Sequence, residues 1–193
     1  MRKNWAALAL TGMLCLTTFA GTQTVSAETA DSAKQVDIVF THDTHSHLNT
    51  FTTIVDEAEK EVGGFARINT LIQEQKAKNP DTLVIDGGDF SMGTLIQTVF
   101  ETQAAEIRML GYMGCDVTTL GNHEFDYRSK GLANMLNSAA ESGDDLPAMV
   151  VCNVDWESME AAGLSEGQQL IRDAFDEYGV SDYVVLEKGD RDI

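Results

Sequence analysis

The chain has 193 residues, with 31 acidic against 13 basic side chains and a formal net charge of −18. Such a balance excludes a polyanionic nucleic-acid partner held by a basic surface. It admits a small phosphate ester only where bound cations reverse the local field, and solubility alone accounts for most of the acidic excess.

Arg2 and Lys3, the largely apolar stretch Trp5 to Ala20 and the small residues Val25-Ser26-Ala27 read as a secretory signal over residues 1–27. A stable membrane anchor is the competing reading. The apolar run is short for a span of about 20 residues, and Thr11, Gly12, Thr17 and Thr18 dilute it. Cys15 could mark a lipoprotein, but the bulky Leu14 precedes it where a small residue is wanted. The expected location is therefore secreted, in the cell envelope or periplasm. Residues 28–34 are expected to form a flexible leader, and 35–193 a single domain large enough for a sizeable core.

Four runs rich in Val, Ile and Leu predict buried parallel strands: Val36 to Phe40, Thr82 to Ile85, Val117 to Leu120 and Ala148 to Val151. Helices are predicted between and after them. Phe65 to Lys78 carries Phe65, Ile68, Leu71 and Ile72 at helical spacing and stops at Asn79-Pro80. Leu95 to Leu110, Lys130 to Ser142 and Leu170 to Tyr178 follow, each ended by a glycine. Asp182 to Glu187 reads as a strand, Lys188-Gly189-Asp190 as a turn and Arg191 to Ile193 as a return strand just begun, so a truncated chain is expected. The alternation predicts an α/β fold of βαβ units with a mainly parallel sheet.

Polar clusters follow each strand: His42 to His45, Asp86 to Asp89, Gly121 to Asp126 and Asn153 to Asp155. Open parallel sheets bind ligands outside the carboxyl ends of their strands. Asp43 and His45 offer a carboxylate and an imidazole, a pair suited to Mn²⁺, Zn²⁺ or Fe²⁺; alone they are a hydrogen-bonded loop pair. Asp89, behind Gly87-Gly88, could bridge two cations about 3.5–4 Å apart; alone it marks a turn. In Gly121-Asn122-His123-Glu124, Asn122 can offer a carbonyl oxygen to a metal and His123 can act on a phosphoryl oxygen. Asp126 can hold that imidazole and favour its protonated form. Helix N-capping is the structural alternative for Asn122 or Asp126.

Thr41 to His47, Asp86 to Thr94 and Gly121 to Asp126 together resemble the motifs of calcineurin-like metallophosphoesterases. The similarity is strongest to the secreted bacterial 5′-nucleotidases, including relatives that hydrolyse UDP-sugars and 2′,3′-cyclic nucleotides, and it runs from about Val36 to the end. The resemblance implies a four-layer αββα sandwich, incomplete here, and two divalent metal ions (Mn, Zn or similar). By position it implies Asp43 and His45 as ligands of a first metal, Asp89 as the bridging carboxylate and Asn122 as a ligand of a second. His123 would be the catalytic imidazole with Asp126 its partner, and His47 a neighbouring histidine without a ligand role. The substrate would be a nucleotide or another small phosphate ester.

One departure matters. No histidine follows His123, so the family's later histidine motifs are missing and the second metal keeps only Asp89 and Asn122. A non-catalytic remnant holding at most one cation or a phosphate is the alternative. A calcium-binding surface module fits less well, for want of acidic residues at alternate positions. Two further expectations concern packing. A parallel sheet short of its second layer should expose an apolar face and favour self-association. Cys115 and Cys152, at opposite ends of parallel strands about 16 Å apart, should not bridge and should both be buried, since a disulfide tolerates about 7 Å between Cα atoms.

Overall fold

The computed structural model describes residues 36–193; the expected signal sequence (1–27) and leader (28–34) lie outside the described residues. Four strands, β1 (Ile38–Thr41), β4 (Leu83–Asp86), β5 (Val117–Thr118) and β6 (Ala148–Met149), form one sheet in the order β1-β4-β5-β6. Every neighbouring pair is parallel, as the strand–helix alternation requires. β5 and β6 are shorter than the apolar runs suggest. Pairing continues irregularly beyond them, through Val150 N–H to Thr118 O at 3.0 Å and Val151 N–H to Ser181 O at 2.9 Å.

The helix α1 (Phe65–Lys78) matches its predicted span and buries Phe65 and Ile72. Lys76 and Lys78 in its last turn complement the helix dipole. The single helix expected over Leu95 to Leu110 is instead three pieces: a 3-10 turn (Leu95–Val99), α2 (Phe100–Gln103) and α3 (Ala105–Tyr112). Ala104 breaks it in a left-handed conformation, φ 46° and ψ 41°. Phe100, Ile107 and Leu110 reach the core from either side of that break, whereas Leu95 stays 86% exposed. The helical spacing of apolar residues there does not trace one buried face.

α4 (Arg128–Ala140) starts and ends two residues before its predicted bounds. α6 (Glu166–Tyr178) begins four residues earlier than its apolar pattern, because Ser165 and Gln168 close a capping box. Two elements carry no strong apolar signal: α5 (Trp156–Ala162), and an exposed hairpin of β2 (Phe51–Val55) and β3 (Ala58–Val62). Asp56 and Glu57 turn that hairpin at φ 52° and 62°, where Asn-Gly would be the usual signal. At the end of the chain, β7 (Glu187–Lys188) pairs with β8 (Arg191–Asp192). The strand expected from Asp182 is thus regular only from Glu187. Lys188 Nζ anchors this hairpin on Asp116 Oδ1 at 2.7 Å, just before β5.

The pleat sorts the sheet residues onto two faces. Val39, Val84 and Met149 pack into a core with Phe65, Phe90, Phe100, Ile107, Leu132, Leu136 and Phe175 from the helices and loops. Phe40, Ile85, Val117 and Val150 line the other face, an open groove of about 660 Å³. Ile38 and Phe40 are more than half exposed. A hydrophobic dye is expected to bind the folded chain, with a dimer or larger species in light scattering, and Phe40→Ser should reduce both. A dye-silent monomer with an unchanged cooperative melt would count against that surface.

Cys115 and Cys152 are both free. Parallel pairing of Val117 with Ala148 places them near opposite ends of the sheet. Cys115 is buried as expected, with its thiol pushed up to about 12 by desolvation. Cys152 is exposed, correcting the expectation that both are core residues; it lies past the end of β6, where the chain leaves the sheet. Among the described residues no helix is long and apolar enough to cross a membrane.

Candidate metal centre and active site

Three loops meet at the carboxyl ends of β1, β4 and β5, and backbone bonds stitch the first two together. Asp43 N–H donates to Gly88 O (3.0 Å), His45 N–H to Asp89 O (3.1 Å) and Ser46 N–H to Phe90 O (2.8 Å). The ladder between β1 and β4 thus continues past the regular strands in a curled form. Curling requires left-handed backbone at Asp43 (φ 51°), His45 (φ 44°), Ser46 (φ 55°) and Asp89 (φ 51°). Non-glycine residues hold such conformations where their surroundings over-determine them, a frequent property of functional loops.

The third loop meets the second at very short range. A Cβ on Gly121 would lie 2.1 Å from Asp89 Oδ1, and one on Gly88 would lie 2.6 Å from Gly121 N. Only glycine at both positions lets these loops touch. Asp89 Oδ1 then accepts the His123 backbone N–H at 2.9 Å. The 3-10 turn His123–Phe125 presents the His123 ring, whose Nδ1 sits 2.8 Å from Asp126 Oδ2.

Hydrogen bonding fixes which ring nitrogens are free. His45 Nδ1 lies 3.2 Å from the Ser91 carbonyl oxygen; a carbonyl can only accept, so Nδ1 carries the proton and Nε2 keeps its lone pair. His123 likewise commits Nδ1 to Asp126. The two rings meet edge to face with centroids 5.0 Å apart. His45, Asp89 and His123, all half-buried, each place a ligand-capable atom within 4.8 Å of the others. Asp43 Oδ1 lies 3.5 Å from His45 Nε2. The His45 imidazole with the Asp43 and Asp89 carboxylates suits a divalent transition metal, and the His123 ring stands beside them. The residues present fit a metal ion.

Asp43 is held below the usual carboxylate range, chiefly by its hydrogen bond with His42 Nδ1. His123 is raised above the ordinary imidazole value, first by its hydrogen bond to Asp126 and then by the charges of Asp126, Asp89 and Glu124. Its protonated form therefore adds stability fully below the ordinary imidazole pKa, and that contribution is lost as pH rises through the elevated value. Asp126→Asn is expected to lower the His123 pKa in a ring NMR titration. It should also lower the melting midpoint in weakly acidic solution, with the gap closing at alkaline pH. Identical titration curves for both proteins would refute the pairing.

The structure thus brings together Asp43, His45, Asp89 and His123, with Asp126 behind His123. Asn122 stands at the start of the same 3-10 turn, exposed, and its side chain makes no capping bond. His47 points elsewhere, with Nδ1 on Thr44 O at 3.1 Å and its ring against Phe51. In the fourth cluster, Asp155 caps α5 by accepting Ser158 N–H at 3.0 Å. Motif reading leaves Glu124 without a role, yet it is fully buried and clamps the second loop to the third. Its carboxylate accepts Asp89 N–H (3.0 Å), Gly121 N–H (2.6 Å), Ser91 N–H (3.0 Å) and Ser91 Oγ–H (2.7 Å). A glutamate beside a glycine turn is the only hint the sequence offers.

The profile of calcineurin-like phosphoesterases matches residues 36–190. The chain belongs to the calcineurin-like phosphoesterase family. Calcineurin-like phosphoesterases use divalent metals, in keeping with the donor set above. The chain is 32% identical to a 5′-nucleotidase-related protein of Glossina morsitans morsitans over 151 residues, 75% of the chain and 26% of that protein. It is 34% identical to a probable 5′-nucleotidase of Treponema pallidum over 107 residues, 53% of the chain and 18% of that protein. Among solved structures, the 5′-nucleotidase precursor of Thermus thermophilus superposes with a TM-score of 0.63 at 25% identity, covering 81% of this chain and 27% of that one. The chain therefore spans about a quarter or less of the length of these relatives, and its fold is part of the metallophosphoesterase domain.

Proposed function

We propose that residues 35–193 are the amino-terminal portion of an exported, metal-dependent nucleotide phosphoesterase of 5′-nucleotidase type. The observation that carries this reading is the convergence of His45, Asp89 and His123 at the joined ends of three parallel strands. Asp43, His45 and Asp89 would hold a first divalent ion, and Asp89 with Asn122 would begin a second site. Bound divalent ions would neutralise phosphate charge and lower the pKa of an attacking water. His123, kept protonated by Asp126, would donate from Nε2 to a phosphoryl oxygen or the departing ester oxygen. The relatives named as 5′-nucleotidases point to a nucleotide as the ester, and the apolar stretch before Val25-Ser26-Ala27 to export.

Calorimetric titration with Mn²⁺ tests the site. One ion per chain is expected, weakened at least about tenfold by His45→Ala or Asp89→Asn, since each removes a ligand from a small set. Equal binding by wild type and both variants would refute the assignment. A second reading, a remnant that binds one cation without turnover, draws on the single ligand cluster found among the described residues. A reading frame that continues past Ile193 with two further histidine motifs would favour the enzyme over it.

A further inference from the structure

We propose that Glu106, outside every motif, is a positioning residue that holds His45 in its ligand geometry through Ser46; this rests on the reading of Asp43, His45 and Asp89 as a metal site. Ser46 is completely buried and spends every polar group outside its own loop. Its N–H donates to Phe90 O (2.8 Å), its carbonyl accepts Thr94 Oγ1–H (2.6 Å), and its Oγ–H donates to Glu106 Oε1 (2.7 Å). His45 and Ser46 are consecutive left-handed residues, each costing roughly 1–2 kcal/mol relative to right-handed backbone. The strained pair will relax unless it is pinned, and relaxation would swing the His45 ring away from Asp89 and His123. The bond to Glu106 is the side-chain pin at that point.

Glu106 is itself aimed with some effort. It is fully buried in the first turn of α3, immediately after the left-handed Ala104 that interrupts the helix. Its second oxygen, Oε2, finds no hydrogen-bond partner among the described residues. Burial raises its pKa, and the nearby Glu124 adds to the effect. A buried acid with one unpartnered oxygen is a poor contributor to stability, so it makes sense as a device for orienting Ser46. Because the working contact is a single accepted hydrogen bond, a glutamine carbonyl should replace it.

The test uses the full chain with Glu106→Gln, Glu106→Leu and Ser46→Ala. Its readouts are Mn²⁺ affinity by calorimetry and, in metal-free protein, hydrogen exchange of the Ser46 amide. Glu106→Leu and Ser46→Ala are expected to weaken Mn²⁺ binding by about tenfold or more, the usual effect of losing a supporting partner behind a ligand. Both should speed Ser46 exchange while the melt stays cooperative, and Glu106→Gln should behave as wild type in both readouts. Wild-type affinity and exchange in Glu106→Leu and Ser46→Ala would overturn the proposal, as would a loss in Glu106→Gln as large as that in Glu106→Leu. Should Glu106→Leu fail to fold, Ser46→Ala carries the same comparison. Failure of the wild type to bind Mn²⁺ would instead overturn the metal reading, leaving the exchange result to judge the link from Glu106 to Ser46.

Discussion

The purified chain is expected to release phosphate from nucleoside monophosphates several orders of magnitude more slowly than a full-length 5′-nucleotidase under the same Mn²⁺ concentration. A two-metal clamp stabilises both the attacking and the leaving oxygen, and it needs each ion firmly held. His45 and Asp89 place ligand-capable atoms within 4.8 Å of each other, and Asp43 Oδ1 lies 3.5 Å from His45 Nε2, a set suited to one ion. The second would rest on Asp89 and Asn122 alone, because no histidine follows His123. Two protein ligands leave an ion weakly bound and poorly oriented. The remaining machinery, His123 backed by Asp126 at 2.8 Å, cannot offset that loss. Fast metal-dependent turnover abolished by His123→Ala would show that the second ion is not needed here. A rate indistinguishable from buffer would agree with the argument.

Glu124→Ala should be the most destabilising single substitution near the site. The residue is fully buried, and its two oxygens serve four donors from two loops. Removing it strands three backbone N–H groups and the Ser91 hydroxyl in a dry environment. Each such bond to a carboxylate is worth roughly 1.5–3 kcal/mol. They share two oxygens and water can re-enter, so the expected total is about 3–5 kcal/mol rather than the full sum. For a chain of this size that corresponds to a fall in melting midpoint on the order of 10 °C. Glu124→Gln should also destabilise, since its NH₂ would face a donor. A midpoint within about 2 °C of wild type for Glu124→Ala, a change under roughly 1 kcal/mol, would mean that the loops hold together without the clamp.

These expectations mark where local sequence stops being informative. The existence of the parallel strands and of α1 could be read from Val, Ile and Leu runs and from apolar spacing ended by Asn79-Pro80, because both signals are local and strong. So could the capacity of Asp43, His45 and Asp89 to ligate a cation, which follows from residue type. Boundaries were less legible. The early start of α6 depends on the Ser165–Gln168 capping box, a polar signal that apolar periodicity ignores. The break at Ala104 depends on fitting Phe100 on one side and Glu106 and Ile107 on the other into one interior. The turn of the β2–β3 hairpin uses Asp56-Glu57 in a conformation those residues seldom adopt.

Only the tertiary structure decided which polar residues serve the site from beneath. Ser46, Glu106 and Glu124 lie up to 78 positions apart along the chain, and no spacing rule connects them. They act together because three strand ends converge and exclude water, so that each buried donor must find an acceptor within about 3 Å. That requirement is a property of the packed interior. What the sequence alone determined was the set of groups able to bind a cation and a phosphate. Their common point in space, and the buried acids that hold them there, follow from loops close enough that only glycine fits at Gly88 and Gly121.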